Sequence, residues 1–242
     1  MVKRINLKMN VPKRVLMLSS SRVASEDYLQ HAVPMLNEHL PKIKELLFIP
    51  FAGVTINWDD YTKKVQNALP NYKIKGIHQF SNAHHALENA QAILVGGGNT
   101  FNLLNQLYQQ ELLEIIKSQV NKGIPYVGWS AGSNICGNSI RTTNDMPIIQ
   151  PPSFNALNLV PFQLNPHYTD YQASGHNGET RAQRIEEFCV LNPDMPVIGI
   201  REGSALVLQG RALLLKGDLD AVVFEEGSQR VIRPNQDLSM YL

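Results

Sequence analysis

The stretch YVGWSAGSNICG, Tyr126–Gly137, is where the reading of this chain turns. A short apolar run, Tyr126–Trp129, drives into Gly128-Trp129-Ser130-Ala131-Gly132, a turn of small residues that carries a serine. Helix-compatible residues follow. A buried strand, a tight turn and a helix start in that order describe one step of an α/β fold. The pattern G-x-S-x-G in that context is a nucleophile elbow, with the serine lifted above the carboxyl end of the sheet. Glycines on either side let the backbone pass without side-chain clashes.

The flanking sequence repeats the alternation. Arg14–Ser20 (RVLMLSS) reads as a first buried strand, and Glu26–Leu40 as a helix with Ser25 as its cap and a kink or early break at Pro34. Glu45–Gly53 reads as a second strand ending in a loop, Asn57–Leu69 as a helix, Tyr72–His78 as a third strand and Ser81–Ala90 as a short helix. Ala92–Thr100 (AILVGGGNT) is a strand that runs into glycines. One or two helices fill Asn102–Gly123, ahead of the strand Ile124–Trp129. Strands alternating with helices predict a mostly parallel sheet flanked by helices on both faces, in the manner of flavodoxin-like folds. Beyond Ile140 the pattern breaks. Arg141–Phe162 is rich in Pro, Asn and Thr and reads as a long irregular segment, of a length that is usually functional or disordered. Phe162–His167 resumes a strand, and Gly178–Asn192 is an amphipathic helix. Pro196–Gly227 reads as successive short strands turning at Gly203, Gly210 and Gly217, a C-terminal β-meander that finishes one edge. The expected organisation is a basic extension, residues 1–13, and a single catalytic α/β domain, residues 14–242.

Composition narrows the function. The 242 residues are 43% hydrophobic and carry a net charge of +1, with no long block of like charge, so nucleic-acid binding has no electrostatic footprint. Two cysteines, Cys136 and Cys189, lie far apart and form no CxxC pair, which argues against a disulfide framework or zinc site and fits a reducing compartment. No apolar run has transmembrane length, and the basic N-terminus lacks a signal peptide's apolar core. The expectation is a cytoplasmic protein with no membrane or nucleic-acid partner.

A nucleophilic Ser130 needs a base, and seven histidines are available. His31 and His39 fall on a predicted helix and read as surface residues. His78, His84 and His85 have no matching environment. His167, in QLNPHYTD, follows a strand and a proline at the carboxyl edge of the sheet and is the choice; His176 reads as a loop residue near the pocket. The base in turn needs a carboxylate to orient it. Asp145, Asp170 and Glu202 all lie in loops after Ser130, and these residues alone do not rank them. For the oxyanion, the Ala131 amide is one donor and the Gly98 amide, in Gly96–Thr100 (GGGNT), is the other. Asn99 or Thr100 is placed to cap the helix that opens there, and Asn99 also stands among the substrate-binding candidates. The loop lacks the G-K-[ST] ending of a P-loop and the spacing of G-x-G-x-x-G.

These residues also carry a resemblance. FIPFAGVT, WDDYT, VGGGNTF, GWSAGSN, RTTNDMPI, NPHYT, GHNGETR and VIGIREG occur in the order and spacing of the peptidase E family of α-aspartyl dipeptidases, from about Val15 to the final strands. The resemblance implies a fold like that of class I glutamine amidotransferases with serine in place of their cysteine. It implies hydrolysis of dipeptides with an N-terminal aspartate. It places the nucleophile on Ser130 and the base on His167. For the acid it offers Asp145 or Glu202; Glu202 is preferred because a strand end holds it rigidly, and Asp145 stays a site residue. Arg181, in GETR, matches the family's aspartate-binding arginine, with Arg141 a weaker second candidate. Neither metal nor cofactor is called for, and the expected partner is a small peptide substrate, the chain being a monomer or small homo-oligomer. Two alternatives stand beside this reading. One is an α/β-hydrolase-like esterase, whose chain order of serine, acid and histidine Asp145 would satisfy. The other is a non-catalytic binding protein on the same scaffold.

Overall fold

The structure, a computed structural model, describes residues 11–175 and 177–242. Most of the expected extension, residues 1–10, and His176 lie outside the described residues. Five parallel strands form the body of the main sheet: β1 (Arg14–Leu18), β2 (Glu45–Ile49), β3 (Lys73–Gly76), β4 (Ile93–Val95) and β5 (Tyr126–Trp129). β8 (Ala205–Gln209) and β9 (Ala212–Lys216) extend it antiparallel beside β1, giving the order β3-β2-β4-β5-β1-β8-β9. Side chains along β1 alternate between the two faces. Val15 and Met17 enter one buried cluster with Ile49, Val95 and Leu206, while Leu16 and Leu18 enter another with Phe48, Leu94 and Val127. Both faces are therefore dry, which is why these strands read as continuous apolar runs.

The second cluster is closed by α1 (Val33–His39) and α2 (Trp58–Ala68), through Leu36, Tyr61 and Val65. The first is closed by α3 (Ala83–Glu88), α4 (Thr100–Gln109) and α5 (Leu113–Asn121), through Leu87, Leu103, Leu107, Ile116 and Val120. Asparagine side chains start three of these helices. Asn57, Asn82 and Asn99 each accept from the amide three residues on, which satisfies one of the unpaired donors of a first turn.

The same cluster also takes Ile198, Val223 and Ile232 from a second sheet of four strands, ordered β11-β10-β7-β6. Its members are β6 (Gln163–Asn165), β7 (Val197–Gly199), β10 (Ala221–Glu225) and β11 (Ser228–Ile232), and α7 (Arg181–Leu191) packs on its far side through Ile185 and Cys189. The C-terminal strands are thus present, but only part of them finishes an edge of the main sheet. The hairpin β8–β9 joins the main sheet, and β10–β11 joins the second sheet with β6 and β7. Sequence periodicity assigns strands but carries no information on which sheet each one enters.

The helix expected over Glu26–Leu40 is shorter. Ser25 sits in a turn, residues 30–32 form one 3-10 turn, and the α-helix begins at Val33. Pro34 occupies the second helical position, where its missing N–H has no intrahelical partner to lose, so it starts the helix instead of kinking it. His39, read as a surface residue, is buried between α1 and β5, with Nε2 3.2 Å from the Tyr126 carbonyl. His31 is half-buried, and both its ring nitrogens are shut away from solvent.

Burial pushes the His39 imidazole down from 6.5 to about 4, and the charge of nearby Arg14 adds to the shift. The fold therefore favours neutral His39, while the unfolded chain protonates near pH 6.5. The resulting stability is complete above pH 6.5 and is lost as pH falls to 4, amounting to about 3 kcal/mol. Urea midpoints at pH 7 and pH 4.5 should differ accordingly, and His39→Gln should flatten that interval.

Candidate functional site

The carboxyl ends of β1, β4 and β5 meet at one edge of the main sheet. At β5, Ser130 has φ 53° and ψ −113°, a strained combination for a residue with a side chain. Three contacts hold it there. The Ser130 amide donates to the Leu18 carbonyl at 3.2 Å, and the buried Ser133 hydroxyl lies within hydrogen-bond reach of both Leu18 O (2.6 Å) and Gly128 O (2.9 Å). The turn also needs its glycines. A Cβ on Gly128 would stand 2.3 Å from the Gly132 carbonyl, and one on Gly132 would stand 2.2 Å from the Val95 carbonyl. The elbow is thus clamped between β5, β4 and α6 (Ala131–Asn134). Because α6 is a single turn, it offers Ser130 its free first amides more than a helix dipole.

The glycine loop after β4 lies against the elbow. A Cβ on Gly97 would be 3.0 Å from Ser130 Cβ, and Gly98 adopts φ +136° with the Ala52 carbonyl where its Cβ would point. Tyr61, which sequence reasoning did not select, donates from its hydroxyl to the Gly97 carbonyl at 2.9 Å and so fixes the loop. Burial raises the Tyr61 pKa, which keeps it a donor. Among the described residues, the amides of Gly98 and Ala131 have no acceptor of their own.

The second sheet supplies the remaining groups. His167 follows β6, and Glu202 follows β7. Ser130 Oγ lies 2.9 Å from His167 Nε2, and His167 Nδ1 lies 2.7 Å from Glu202 Oε1. In the tautomer with its proton on Nδ1, the ring donates to the carboxylate and leaves Nε2 free to accept from the serine hydroxyl. The link between the two sheets is Ser19, at the end of β1 and fully buried. Its hydroxyl accepts from the His167 amide at 2.8 Å and donates to the Ile200 carbonyl at 2.7 Å, and its amide donates to Ser204 O at 2.9 Å. Nothing in RVLMLSS marks this serine as special, since its partners are more than 140 residues away.

The other two carboxylates are engaged elsewhere. Asp145 accepts through Oδ2 from the Thr100 amide at 2.7 Å and from the Thr100 hydroxyl at 2.5 Å, so it caps α4 and does not reach His167. Asp170 is bound by Arg201 and by the Tyr168 hydroxyl at 2.7 Å. Asn99 has both ends of its amide in use: Oδ1 accepts from Asn102 N and Nδ2 donates to the Met146 carbonyl at 2.9 Å. It anchors the irregular segment instead of facing a ligand. Arg141 lies over the Phe188 ring, outside the cavity beside Ser130.

That cavity, about 200 Å³, is walled by Ser130, Ala131, Asn134, Asp145, His167 and Arg181, among others. It falls below the roughly 300–1,000 Å³ of pockets for drug-sized ligands and suits a single amino-acid residue. Arg181 opens α7, where the helix dipole disfavours a cation. Burial lowers its pKa, with Arg184 adding to the effect. Its one hydrogen bond is a long 3.5 Å contact to the His167 carbonyl, and it pairs with no carboxylate among the described residues. A half-buried guanidinium without a carboxylate partner on a cavity wall suits an anion. No group of three or more His, Cys, Asp or Glu side chains among the described residues is placed to hold a metal ion.

The model of Peptidase family S51 matches residues 15–216. The Peptidase E of Shewanella amazonensis is 54% identical over 232 residues, covering 95% of this chain and 99% of its own length. That of Shewanella denitrificans is 55% identical over 230 residues, covering 94% and 98%. Among solved structures, a peptidase from an acI-B1 Actinobacterium superposes with a TM-score of 0.68 over 95% of this chain and 97% of its own at 14% identity. A Listeria monocytogenes EGD-e protein gives 0.64 over 85% and 98% at 24% identity. These two likenesses concern the fold.

Ser19→Ala should expose how much the join between sheets depends on one hydroxyl. It strands a buried N–H and removes a donor from a buried carbonyl, at a cost of about 1–3 kcal/mol. Chemical denaturation should register that loss; a midpoint unchanged from the wild type would show that the join does not need Ser19.

Proposed function

The chain belongs to peptidase family S51, and from that premise we propose that Ser130, His167 and Glu202 are its catalytic triad and that Arg181 selects an N-terminal aspartyl residue in an Asp-Xaa dipeptide. The observation that carries the reading is the unbroken relay from Ser130 through His167 to Glu202, at 2.9 and 2.7 Å, beside an arginine with no carboxylate partner among the described residues. His167 takes the Ser130 proton at Nε2. Ser130 Oγ attacks the carbonyl carbon of the aspartyl residue, and the amides of Gly98 and Ala131 take up the oxyanion. His167 then returns the proton to the departing amine as the peptide bond breaks. In the second half His167 deprotonates water, which attacks the ester and releases aspartate. Glu202 orients the ring and stabilises the imidazolium. Residues 14–242 act as a single catalytic domain.

The esterase alternative requires the acid to lie between serine and histidine in the chain. Asp145 holds that place but caps α4, whereas Glu202 follows both. A binding protein that had abandoned catalysis has no need to keep all three groups in register.

Ser130→Ala should abolish turnover of Asp-Xaa while the protein stays folded by circular dichroism. Glu202→Gln should lower kcat by about two to four orders of magnitude with KM little changed, since the acid acts through His167. A fall in KM-dependent binding alone, with kcat intact, would remove Glu202 from the relay.

The arginine is tested by exchanging both partners of the pair. Asn-Xaa in place of Asp-Xaa leaves Arg181 unpaired, and Arg181→Met leaves the substrate carboxylate unpaired. Breaking a desolvated charge pair from one side costs about 3 kcal/mol or more, about a hundredfold in kcat/KM. The Arg181→Met enzyme should cleave Asp-Xaa and Asn-Xaa at similar rates. A large remaining preference for Asp would assign the cation to another residue.

A further inference from the structure

An N-terminal aspartyl residue brings two charges to the site: the side-chain carboxylate and the free α-ammonium. Arg181 answers the first. We propose that Asp145 answers the second, holding the α-ammonium of the substrate through Oδ1, so that this carboxylate reads the free amino terminus and takes no part in the proton relay. The inference rests on the aspartyl reading of the cavity and adds the group that makes the enzyme act at a chain terminus.

Three observations carry it. Asp145 and Arg181 both line the cavity of Ser130 and His167, so one carboxylate and one guanidinium face a single residue-sized space. Asp145 uses Oδ2 for both contacts to Thr100, which orients the carboxylate rigidly and leaves Oδ1 without a partner among the described residues. It also forms no ion pair there, while Asp170 is matched to Arg201 and Glu202 to His167. Asn134, 1% exposed and on the wall of the same cavity, donates from Nδ2 to the Leu164 carbonyl at 2.9 Å and has a buried Oδ1 with no partner. A carboxylate oxygen without a donor on this cavity suits a group that brings only N–H bonds, which an ammonium does. An α-ammonium lies one carbon from the carbonyl that Ser130 attacks, so the acceptor that holds it has to line the same cavity as Ser130, as Asp145 does.

The role predicts a discrimination that neither the triad nor Arg181 supplies. Succinate is aspartate without its amino group, and succinyl-Xaa is Asp-Xaa without it. Both retain the side-chain carboxylate. As competitive inhibitors of the wild-type enzyme, L-aspartate should be about thirtyfold more potent than succinate, the worth of one charged hydrogen-bonded contact. In Asp145→Asn, which keeps the cap on Thr100 and the shape while removing the charge, the two inhibitors should differ by less than about threefold, and kcat/KM for Asp-Xaa and succinyl-Xaa should converge through KM. Equal potency of the two inhibitors on the wild type would overturn the proposal without any variant. So would an Asp145→Asn enzyme that keeps the full aspartate preference, or one whose kcat collapses on both substrates alike. Failure of the aspartyl reading appears separately, as wild-type enzyme that does not distinguish Asp-Xaa from Asn-Xaa.

Discussion

The left-handed backbone of Ser130 is the constraint around which the molecule is arranged. A serine at φ 53° is held only by surroundings that leave it no alternative. Here they are the β1–β5 pairing, which presents the Leu18 carbonyl to the Ser130 amide, and the bare backbones of Gly128 and Gly132, which let β4, β5 and α6 approach within side-chain distance. The same closeness brings the Gly96–Gly98 loop beside the serine. Ser130 and the proposed oxyanion donors are thus brought together by one packing event at the carboxyl edge of a parallel sheet.

The proposed relay has a different origin. His167 and Glu202 leave the ends of β6 and β7, adjacent parallel strands of the second sheet, whose pairing sets Asn165 beside Gly199. Parallel neighbours put successive loops side by side, so a histidine two residues past one strand and a glutamate three residues past the next can meet. Ser19 fixes the offset between this pair and the elbow. A single buried hydroxyl satisfies one group on each loop, and does so from a strand of the main sheet. Charge is distributed with the same economy: Asp170 and Glu202 are matched internally, whereas Arg181 and Asp145 face the cavity.

Much of this was legible in the residues. The elbow could be read because its signal is local: apolar strand, G-x-S-x-G and small residues lie within one dozen positions. His167 could be singled out because a proline and a strand end fix its place. The acid was harder. Asp145, Asp170 and Glu202 are hard to rank as loop carboxylates until the sheets are docked; the resemblance offered Asp145 or Glu202, and the strand end before Glu202 favoured it. Ser19, Tyr61 and Asn134 carried no local mark, since each acts through a partner at least 30 residues away. The errors follow the same line. Helical spacing over Glu26–Leu40 could not reveal that Pro34 would serve as a start, and alternation in the C-terminal strands could not say that β8–β9 and β10–β11 part company.

The division of Ser130, His167 and Glu202 between two sheets makes the proposed relay a report on how those sheets are seated. Ser130 belongs to one layer, His167 and Glu202 to the other, and a hydrogen bond of 2.9 Å spans the boundary. Proteins open in parts, and a small sheet with exposed outer strand residues, such as Val231 on β11, is a natural unit to loosen first. A slip of an ångström there leaves helix content and the parallel core intact and still uncouples base from nucleophile. Under mild heat or denaturant, turnover therefore serves as a finer gauge of native order than any spectroscopic average over the chain. On the proposed relay, activity should be lost before the chain unfolds.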